Sequence, residues 1–412
     1  MSHFNSQKKP ELLSPAGDLI RLKTAVDFGA DAVYVGGKEF GMRASPTNFD
    51  FDNLKIGTLY AHERGARVYL TCNTVMKNDE IDRLPEYLSN IGSCGIDAVI
   101  VSDIGALSIV KNILPDIDVH ISTQAGVVNY VAAGEFYKMG AKRVVLAREL
   151  SLDEIRFIRE KTPPELEIEA FVHGAMCVSF SGRCLLSSYI INRDANRGEC
   201  AQPCRWGYYL VEEKRPNEFY KIFEDEKGSY ILNAKDMCMI EHIDELSKAG
   251  ISSFKIEGRA KTEYYVAVIT NAYRYAIDSY MNNPDDYAAE EWLRDEVNKV
   301  SHRQYCTGFY FGPINNGQFY ENGGYVREYD FIAQVEDYKD GKIICRQRNY
   351  FSKGDVVEVL NPKSKPFSMT VSCIYDEENN EIDIARHPEM KLMIPCEKDV
   401  VKGAIIRKIK TQ

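Results

Sequence analysis

Five of the eleven cysteines of this chain follow one another in its middle third, where a strand-like run ends. The run Glu169-Ala170-Phe171-Val172-His173 alternates in the manner of a strand, and the cysteines come after it. They are Cys177, Cys184, Cys200, Cys204 and Cys238, separated by 6, 15, 3 and 33 residues. In a reducing compartment, clustered thiols are more often metal ligands or redox groups than disulfides. The sequence therefore predicts a metal centre.

The cysteine spacing bears on which metal is bound. Zinc ribbons use tight Cys-x2-Cys pairs, and this stretch contains none. Widely spaced single thiolates favour an iron–sulfur cluster slightly over zinc, so both metals stay open at this point. Nearby arginines would offset the negative charge of the thiolates; they are Arg183, Arg193, Arg197 and Arg205. Five of the other cysteines are interpreted as small buried hydrophobes, namely Cys72, Cys94, Cys345, Cys373 and Cys396.

The charge of the chain is unevenly distributed. Its 412 residues carry a net charge of −10, with 44% apolar and 27% charged residues, so no overall basic field indicates nucleic-acid binding. Residues 326–412 hold 15 Lys and Arg against 15 Asp and Glu, and the whole excess of negative charge lies before them. An RNA ligand would need local basic patches. The candidates are the segment 407–410 (RKIK) and the arginines near the cysteines.

The sequence shows neither a secretory signal nor a membrane segment. Residues 1–13 contain no apolar run before Pro10, and no stretch approaches the roughly 18 apolar residues of a membrane span. We therefore expect a cytoplasmic protein with no membrane partner.

A repeated phrase indicates the fold. Glycine, then small or polar residues, then an apolar run occurs at 29–37, 95–103, 140–148 and 250–258. A glycine that ends a helix followed by a nearly continuous apolar strand is typical of parallel β/α units. Eight strands are predicted, near 11–14, 31–36, 67–72, 97–102, 118–123, 143–147, 167–173 and 253–257. The predicted fold is α/β, a (β/α)8 TIM-like barrel, with a doubly wound sheet as the alternative.

Two departures from a simple barrel set the predicted domains. About 80 residues separate the seventh and eighth strands, and long insertions of this kind tend to be functional. This Cys-rich insertion, at about 174–250, belongs to a barrel domain of residues 1–310. A Gly-rich linker follows at 311–325. Residues 326–412 alternate in short strands with turn signals, which predicts a small antiparallel β-barrel domain.

The carboxyl ends of the predicted strands should form the site, as in other barrels of this type. They carry several arginines, which suits an anionic substrate with carboxylates or phosphates. Asn73 and Gln124 would either contact the edge of a base or tie down loops. The candidates at these strand ends are Arg43, Asn73, Gln124, Arg148, His173, Glu257 and Arg259.

The cysteine stretch also resembles a known signature. Glu169-x-Phe171-x2-Gly174-Ala175-Met176-Cys177-x4-Gly182-x-Cys184-x-Leu186-Ser187 is similar to that of the collagenase-like "U" peptidase family. The segments PELLSPAG, RCLLSSYI, RGECAQPCRW, SFKIEGR and TGFYFG resemble the same family, so the likeness covers most of the chain.

The resemblance implies a barrel that holds a 4Fe-4S cluster and takes part in oxygen-independent hydroxylation of tRNA, ribosomal RNA or a ubiquinone precursor. The small C-terminal barrel is most similar to the members that make 5-hydroxyuridine at the wobble position of the tRNA anticodon loop, with prephenate as co-substrate and hydroxyl source. The implied cluster ligands are Cys177, Cys184, Cys200 and Cys238, and Cys204 is the alternative to Cys238.

Within this hypothesis the strand-end residues receive roles. Arg43, Arg148 and Arg259 would hold prephenate carboxylates or RNA phosphates, and His173 or Glu257 would move protons. Two other functions stay open. One is a peptidase, for which the thiol of Cys177 beside His173 would be the nucleophile and base. The other is a non-catalytic iron–sulfur protein that serves a partner enzyme or receives electrons from a donor.

Overall fold

The structure is a computed structural model. It describes residues 9–42, 48–177, 179–206, 210–212, 215–220, 224–225, 228–229, 235–312 and 325–410.

Eight parallel strands close into a barrel, as predicted, and the doubly wound alternative is wrong. With strands numbered in chain order, they are β1 (Glu11–Ala16), β2 (Ala32–Gly36), β3 (Arg67–Cys72), β4 (Ala98–Val101), β5 (Asp118–Ile121), β6 (Arg143–Val145), β7 (Glu167–Ala175) and β13 (Ser253–Ile256). Each strand pairs with the next in parallel, and β13 pairs with both β7 and β1, which completes the ring.

Helices connect these strands around the outside. They are α1 (Leu19–Asp27), α2 (Phe51–His62), α3 (Asn78–Ile81), α4 (Leu84–Gly92), α5 (Ile104–Ile113), α6 (Tyr130–Lys138), α7 (Leu152–Lys161), α8 (Leu186–Ile191), α9 (Ile243–Lys248), α10 (Glu263–Asn282) and α11 (Glu291–Asn298). The segment SLDE (151–154) predicts a capping box at the start of α7, and Ser151 and Glu154 form it, each side chain accepting a backbone N–H of the other residue. Apolar faces of these helices pack on the strands and form the main core.

The lower interior of the barrel is a network of buried charges. The guanidinium of Arg143, 1% exposed, contacts Glu11 at 2.6 Å, Glu167 at 2.6 Å and Glu169 at 2.9 Å. Lys255 Nζ lies 2.7 Å from the other oxygen of Glu169. Because each buried charge has a partner of opposite sign, the network is electrostatically satisfied and forms a rigid base beneath the upper cavity.

The insertion leaves the top of β7. It contains α8, three 3-10 turns (Phe180–Gly182, Ala195–Arg197 and Pro203–Arg205) and the strands β8 (Leu210–Glu212), β9 (Arg215–Tyr220), β10 (Glu224–Asp225), β11 (Gly228–Ser229) and β12 (Asp236–Cys238). The spacing of Met239, Ile240, Ile243 and Leu246 predicts one helix over residues 235–249, and this prediction is wrong. Instead, β12 pairs antiparallel with the end of β7 and parallel with β14 (Tyr305–Cys306), and only Ile243–Lys248 is helical.

The C-terminal part is antiparallel, as its alternating pattern predicts. It consists of β15 (Tyr329–Lys339), β16 (Lys342–Gln347), β17 (Phe351–Ser352), β18 (Val356–Leu360), β19 (Phe367–Thr370), β20 (Ile374–Tyr375), β21 (Glu381–Ile382), β22 (Ile384–Ala385), β23 (Lys391–Pro395) and β24 (Ile405–Ile409). These strands enclose a separate apolar core. Most of the predicted linker, residues 313–324, lies outside the described residues.

Buried ion pairs join the two parts. Arg407 on β24 donates to both oxygens of Glu296 on α11, at 2.8 and 2.6 Å, and both side chains are at most 1% exposed. Lys299 contacts Glu358 at 2.8 Å. The expectation that 407–410 forms an open basic patch is therefore wrong for Arg407, and Lys408 is paired with Asp355 at 2.7 Å. Arg407 and Lys299 therefore link the two parts, whereas the pair of Lys408 with Asp355 lies within the C-terminal part.

Among the described residues, no helix is long and apolar enough to cross a membrane.

Candidate active site at the mouth of the barrel

A cavity of about 170 Å³ lies at the carboxyl ends of the strands, beneath the insertion. Its base and walls come from barrel strands and the loops that follow them, and its roof comes from the insertion. The polar and sulfur-bearing residues that line it are Tyr34, Thr71, Asn73, Ser122, Thr123, Gln124, Arg148, Ser181, Lys255, Glu257, Arg259 and the cysteines 177, 184, 200 and 204. The volume is about ten times what a single water requires, so a small organic ring has room.

Four cysteines share this roof, and three of them have the same local geometry. The sulfur of Cys177 accepts the backbone N–H of Ser179 at 3.4 Å, that of Cys184 accepts from Leu186, and that of Cys200 accepts from Gln202, each also at 3.4 Å. Backbone N–H groups aimed at cysteine sulfur stabilise the thiolate and tune a bound metal centre. Cys204 also lines the cavity.

The insertion is fastened to the rim of the barrel by polar contacts. Glu149 accepts from the backbone N–H of Ser181 at 2.7 Å and from its hydroxyl at 2.8 Å. Within the insertion, Asn196 holds the backbone of Cys184, accepting its N–H at 3.1 Å and donating to its carbonyl at 3.0 Å. Arg183 Nε donates to the carbonyl of Gln124 at 2.6 Å. The cysteines are therefore held over the cavity by the barrel itself.

The described side chains form no group of three or more His, Cys, Asp or Glu that could hold a single metal ion. All four cysteines of the roof line the cavity. Two of them, Cys177 and Cys200, are exposed, and Cys184 and Cys204 are half-buried.

Cys238 and His173 lie away from this cavity. Cys238 pairs with His173 across β12 and β7, and neither residue lines the cavity. Burial raises the pKa of the Cys238 thiol to about 12. The sequence left two candidates for the fourth sulfur ligand, Cys204 and Cys238. In the structure Cys204 lines the roof of the cavity, whereas Cys238 lies beside Tyr273.

His173 lies outside the cavity because β7 contains an irregularity. Lys255 pairs with Phe171 and the next residue, Ile256, pairs with His173, so Val172 has no partner in β13. An extra residue of this kind reverses which face the following side chains point to. Phe171 lines the cavity, whereas His173 packs outside it among three rings, Tyr265, Tyr273 and Tyr305, with centroids 5.2–6.1 Å away.

Burial also makes His173 unsuited to the proton transfer that the sequence predicts for it. Its side chain is 1% exposed, and desolvation lowers the pKa of the imidazole to about 3. The histidine is therefore neutral at pH 7, and it does not line the cavity, where a proton would have to be moved. The pairing of Cys177 with His173 that a thiol peptidase would need is not formed.

Glu257, Arg148 and Arg259 line the cavity at the carboxyl ends of the strands, where the sequence predicts them. Glu257 Oε2 accepts from Arg148 Nη2 at 2.9 Å, and Arg148 Nη1 donates to the carbonyl of Ala175 at 2.9 Å. Arg259 Nη1 lies 2.7 Å from Thr71 Oγ1. It reaches this position over Gly36, where an added Cβ would lie only 2.3 Å from Nη1. Arg43 lies outside the described residues.

The amides Asn73 and Gln124 differ in their contacts. Asn73 accepts from the backbone N–H of Met42 at 3.4 Å and donates to Ser122 at 3.2 Å, so it ties loops together. Gln124 is 4% exposed, and neither Oε1 nor Nε2 has a hydrogen-bond partner in the part of the chain that the structure describes. A buried amide without partners costs about 1–3 kcal/mol. In a cavity wall, this orphaned donor and acceptor are available to a ligand.

Sequence reasoning missed one basic residue of the site. Lys255 is 5% exposed and lines the cavity, with its ammonium 4.7 Å from the ring centroid of Tyr34. It precedes the strand end by two residues, so a search restricted to strand ends passes over it. The alternation in SFKIEG places Lys255 on the same face as Glu257 and could have found it.

Comparison with known proteins identifies the family. The model of peptidase family U32 matches residues 17–318, and that of the peptidase family U32 C-terminal domain matches residues 327–407. This chain belongs to peptidase family U32. The resemblance of the cysteine signature is thereby confirmed, and the two U32 matches cover the barrel from the end of β1 onward, its insertion and most of the antiparallel C-terminal part.

Relatives in this family carry different names. A tRNA hydroxylation protein P1 of Bacillus subtilis is 39% identical over 405 residues, 97% of this chain and 95% of that protein. An uncharacterized protease of Methanocaldococcus jannaschii is 45% identical over 352 residues, 85% of this chain and 83% of its own. The 23S rRNA 5-hydroxycytidine C2501 synthase of Escherichia coli is 36% identical over 304 residues, 72% of this chain and 45% of the synthase.

Proposed function

We propose that this U32 protein is a tRNA-modifying enzyme that hydroxylates C5 of the wobble uridine without molecular oxygen, with prephenate as co-substrate. The observation that carries the proposal is one cavity in which four cysteines face three basic side chains and an unpartnered amide. The similarity to a tRNA hydroxylation protein over almost the whole of both chains supports the same reaction class.

We propose that Cys177, Cys184, Cys200 and Cys204 hold a 4Fe-4S cluster. The donor set fits this group, because thiolates are the usual ligands of such clusters and three of the sulfurs already accept backbone N–H groups. A single zinc ion needs its four ligands about 2.0–2.3 Å from one point, which the described side chains do not offer. Ligands of a cluster stand farther apart. When bound, the cluster would supply one-electron redox chemistry at the roof of the cavity.

The basic residues suit an anionic co-substrate. Arg148, Lys255 and Arg259 line the cavity, and Glu257 is the one carboxylate among the described residues that line it. Lys255 and Arg259 are only 5% and 6% exposed, and at such buried positions guanidinium and ammonium groups bind carboxylates strongly because water screens the charges less. We propose that they orient the carboxylates of prephenate, and that Glu257, held by Arg148, accepts or returns a proton at the reacting ring.

Gln124 supports a pyrimidine ring as the second ligand. Its amide offers an acceptor and a donor side by side. A carboxylate would satisfy only the donor, whereas the edge of uracil, with an N–H beside a carbonyl, satisfies both. A base enters such a cavity only when it is flipped out of its loop, as enzymes that modify bases require.

The test is mass spectrometry of tRNA nucleosides from a deletion strain complemented with this chain. We expect 5-hydroxyuridine-derived nucleosides to disappear on deletion, to return with the native chain and to stay absent with Cys184→Ser. Unchanged nucleosides in a strain stripped of paralogues would contradict the proposal. Cleavage of gelatin by the purified protein would instead support the peptidase that the Methanocaldococcus relative is named for.

A further inference from the structure

A second concave surface lies between the barrel and the C-terminal part. It encloses about 530 Å³, and we call it the junction groove. Its lining residues combine aromatic rings with cations; they are Ala260, Lys261, Thr262, Glu263, Tyr264, Tyr265, Ser301, Tyr325, Arg327, Tyr329, Phe331, Arg348 and Asn349. Nothing in the proposed chemistry of the upper cavity uses this groove.

The aromatic rings form a platform. Tyr264 on α10 stacks on Phe331 of β15, with centroids 5.6 Å apart and planes within 7°. The ammonium of Lys261 lies between two more rings, 4.7 Å from the centroid of Tyr325 and 5.2 Å from that of Tyr265. Tyr325 is 48% exposed, whereas Tyr264 and Tyr265 are buried, so Tyr325 is the tyrosine ring among these three that a ligand can reach.

The charge of the junction groove contrasts with that of the chain. Three cations line it against one carboxylate, Glu263, in a protein whose net charge is −10. Arg327 is 55% exposed, and its ion pair among the described residues is with Asp330, three residues later, at 3.0 Å. Cations beside open aromatic faces are the combination that binds single-stranded nucleic acid, because phosphates meet the cations and bases stack on the rings.

The junction groove begins, along the chain, directly after residues that line the upper cavity. Glu257 and Arg259 line the cavity, and Ala260, Lys261 and Thr262 follow directly and line the groove. The Cα atoms of Arg259 and Lys261 are at most about 7 Å apart, since an extended residue spans about 3.3–3.6 Å. A strand of RNA with one base in the cavity would therefore carry its neighbouring nucleotides across the groove.

We infer that the junction groove binds the single-stranded nucleotides next to the modified base, with one base stacked on Tyr325 and phosphates at Lys261 and Arg327. This inference rests on the proposed RNA substrate and adds the surface that holds it. It also gives the C-terminal domain a role, because Arg327, Tyr329, Phe331 and Arg348 come from that domain or the segment leading into it.

The experiment measures binding of the full chain, purified anaerobically with its metal centre, to a labelled anticodon stem-loop RNA by fluorescence anisotropy. We expect Tyr325→Ala to weaken binding about tenfold, as loss of one stacked base does. Tyr325→Phe keeps the ring and should bind as the native chain does. Arg327→Ala should weaken binding and lower the salt dependence by about one phosphate contact.

Arg156→Ala is the matched control for Arg327, because Arg156 is also an exposed arginine paired three residues away, with Asp153, and lies on α7 outside the groove. It should leave affinity and salt dependence unchanged. Native affinity and salt dependence in both Tyr325→Ala and Arg327→Ala would overturn the inference, whatever the activity of the enzyme. If RNA binding depended on the groove but the protein hydroxylated no RNA, the proposed function would be contradicted and the inference that the groove binds RNA would hold.

Discussion

Phe171 and His173 lie two residues apart on one strand and point to opposite sides of it. Phe171 lines the upper cavity, and His173 is enclosed by Tyr265, Tyr273 and Tyr305. The unpaired Val172 between them produces the reversal. As a result, the histidine that follows the pattern of a catalytic residue belongs to the packing between β7 and α10.

The first prediction concerns stability in acid. His173 has a pKa of about 3 in the folded chain and an ordinary value near 6.5 when unfolded, so the unfolded state binds the extra proton between these pH values. Stability is complete above about pH 6.5 and falls on acidification, by about 1.4 kcal/mol per pH unit for this group. His173→Phe should flatten this fall, as measured by urea unfolding from pH 7 to pH 4.

The substitution should also leave hydroxylation intact. Tyr273 and Tyr305 keep partners without the imidazole, since their hydroxyls donate to the carbonyls of Val172 at 2.8 Å and Val297 at 2.9 Å. If His173→Phe kept its full metal content but lost activity, His173 would have a role in hydroxylation, contrary to this prediction.

The second prediction separates a ligand-binding amide from a structural one. Gln124→Leu removes two orphaned polar atoms, so we expect the unfolding free energy to rise by about 1 kcal/mol while activity falls at least tenfold. Asn73→Leu is the matched contrast, because Asn73 has partners in two loops and its loss should destabilise the protein. Thermal unfolding and product formation measure both effects. A destabilised but fully active Gln124→Leu would show that this amide serves the fold.

The third prediction concerns Glu257. If its carboxylate moves a proton, Glu257→Gln should keep the contact to Arg148 and lower the rate per bound metal centre about 100-fold. Glu149→Gln is the control, since Glu149 holds the backbone and hydroxyl of Ser181 in the insertion. It should lower iron content instead of the rate per iron. A native rate in Glu257→Gln would remove Glu257 from the chemistry.

The fourth prediction concerns the joint between the domains. Arg407→Ala leaves the carboxylate of Glu296 buried, with only Lys299 nearby at 3.7 Å, and should cost about 3–5 kcal/mol. The exposed pair Lys353 and Glu381 provides a control, and Lys353→Ala should cost less than about 1 kcal/mol. Denaturant unfolding of the two variants makes the comparison. Equal small losses would mean that the buried pair does not join the domains.

Repetition made the barrel predictable from the sequence. Each apolar run after a helix-ending glycine, such as 29–37 or 140–148, became a barrel strand, because parallel strands buried on both faces need nearly continuous apolar residues. The capping box at Ser151 fixed the start of α7 in the same local way. Local patterns of this kind depend on neighbours in the chain and survive folding unchanged.

The site was harder, because its decisive features are not local. The irregularity at Val172 depends on pairing with β13, some 80 residues later, and it moved His173 away from the cavity. The sequence predicts a helix at Asp236–Cys238, because the strand β7 with which this segment pairs is distant in sequence. The sequence predicts Arg407 on an open basic patch, whereas in the structure it is buried in an ion pair with Glu296 of the barrel domain. Tertiary pairing overrode the sequence pattern in each case.

The central claim is that four sulfurs, including Cys204, hold an iron–sulfur centre above the cavity. Iron and acid-labile sulfide counts on anaerobically purified Cys204→Ser and Cys238→Ser, side by side with the native chain, test it most directly. The account predicts that Cys204→Ser loses most of its iron and sulfide and that Cys238→Ser keeps both. Full iron in Cys204→Ser together with loss in Cys238→Ser would contradict it, as would a native chain that carries zinc and no sulfide.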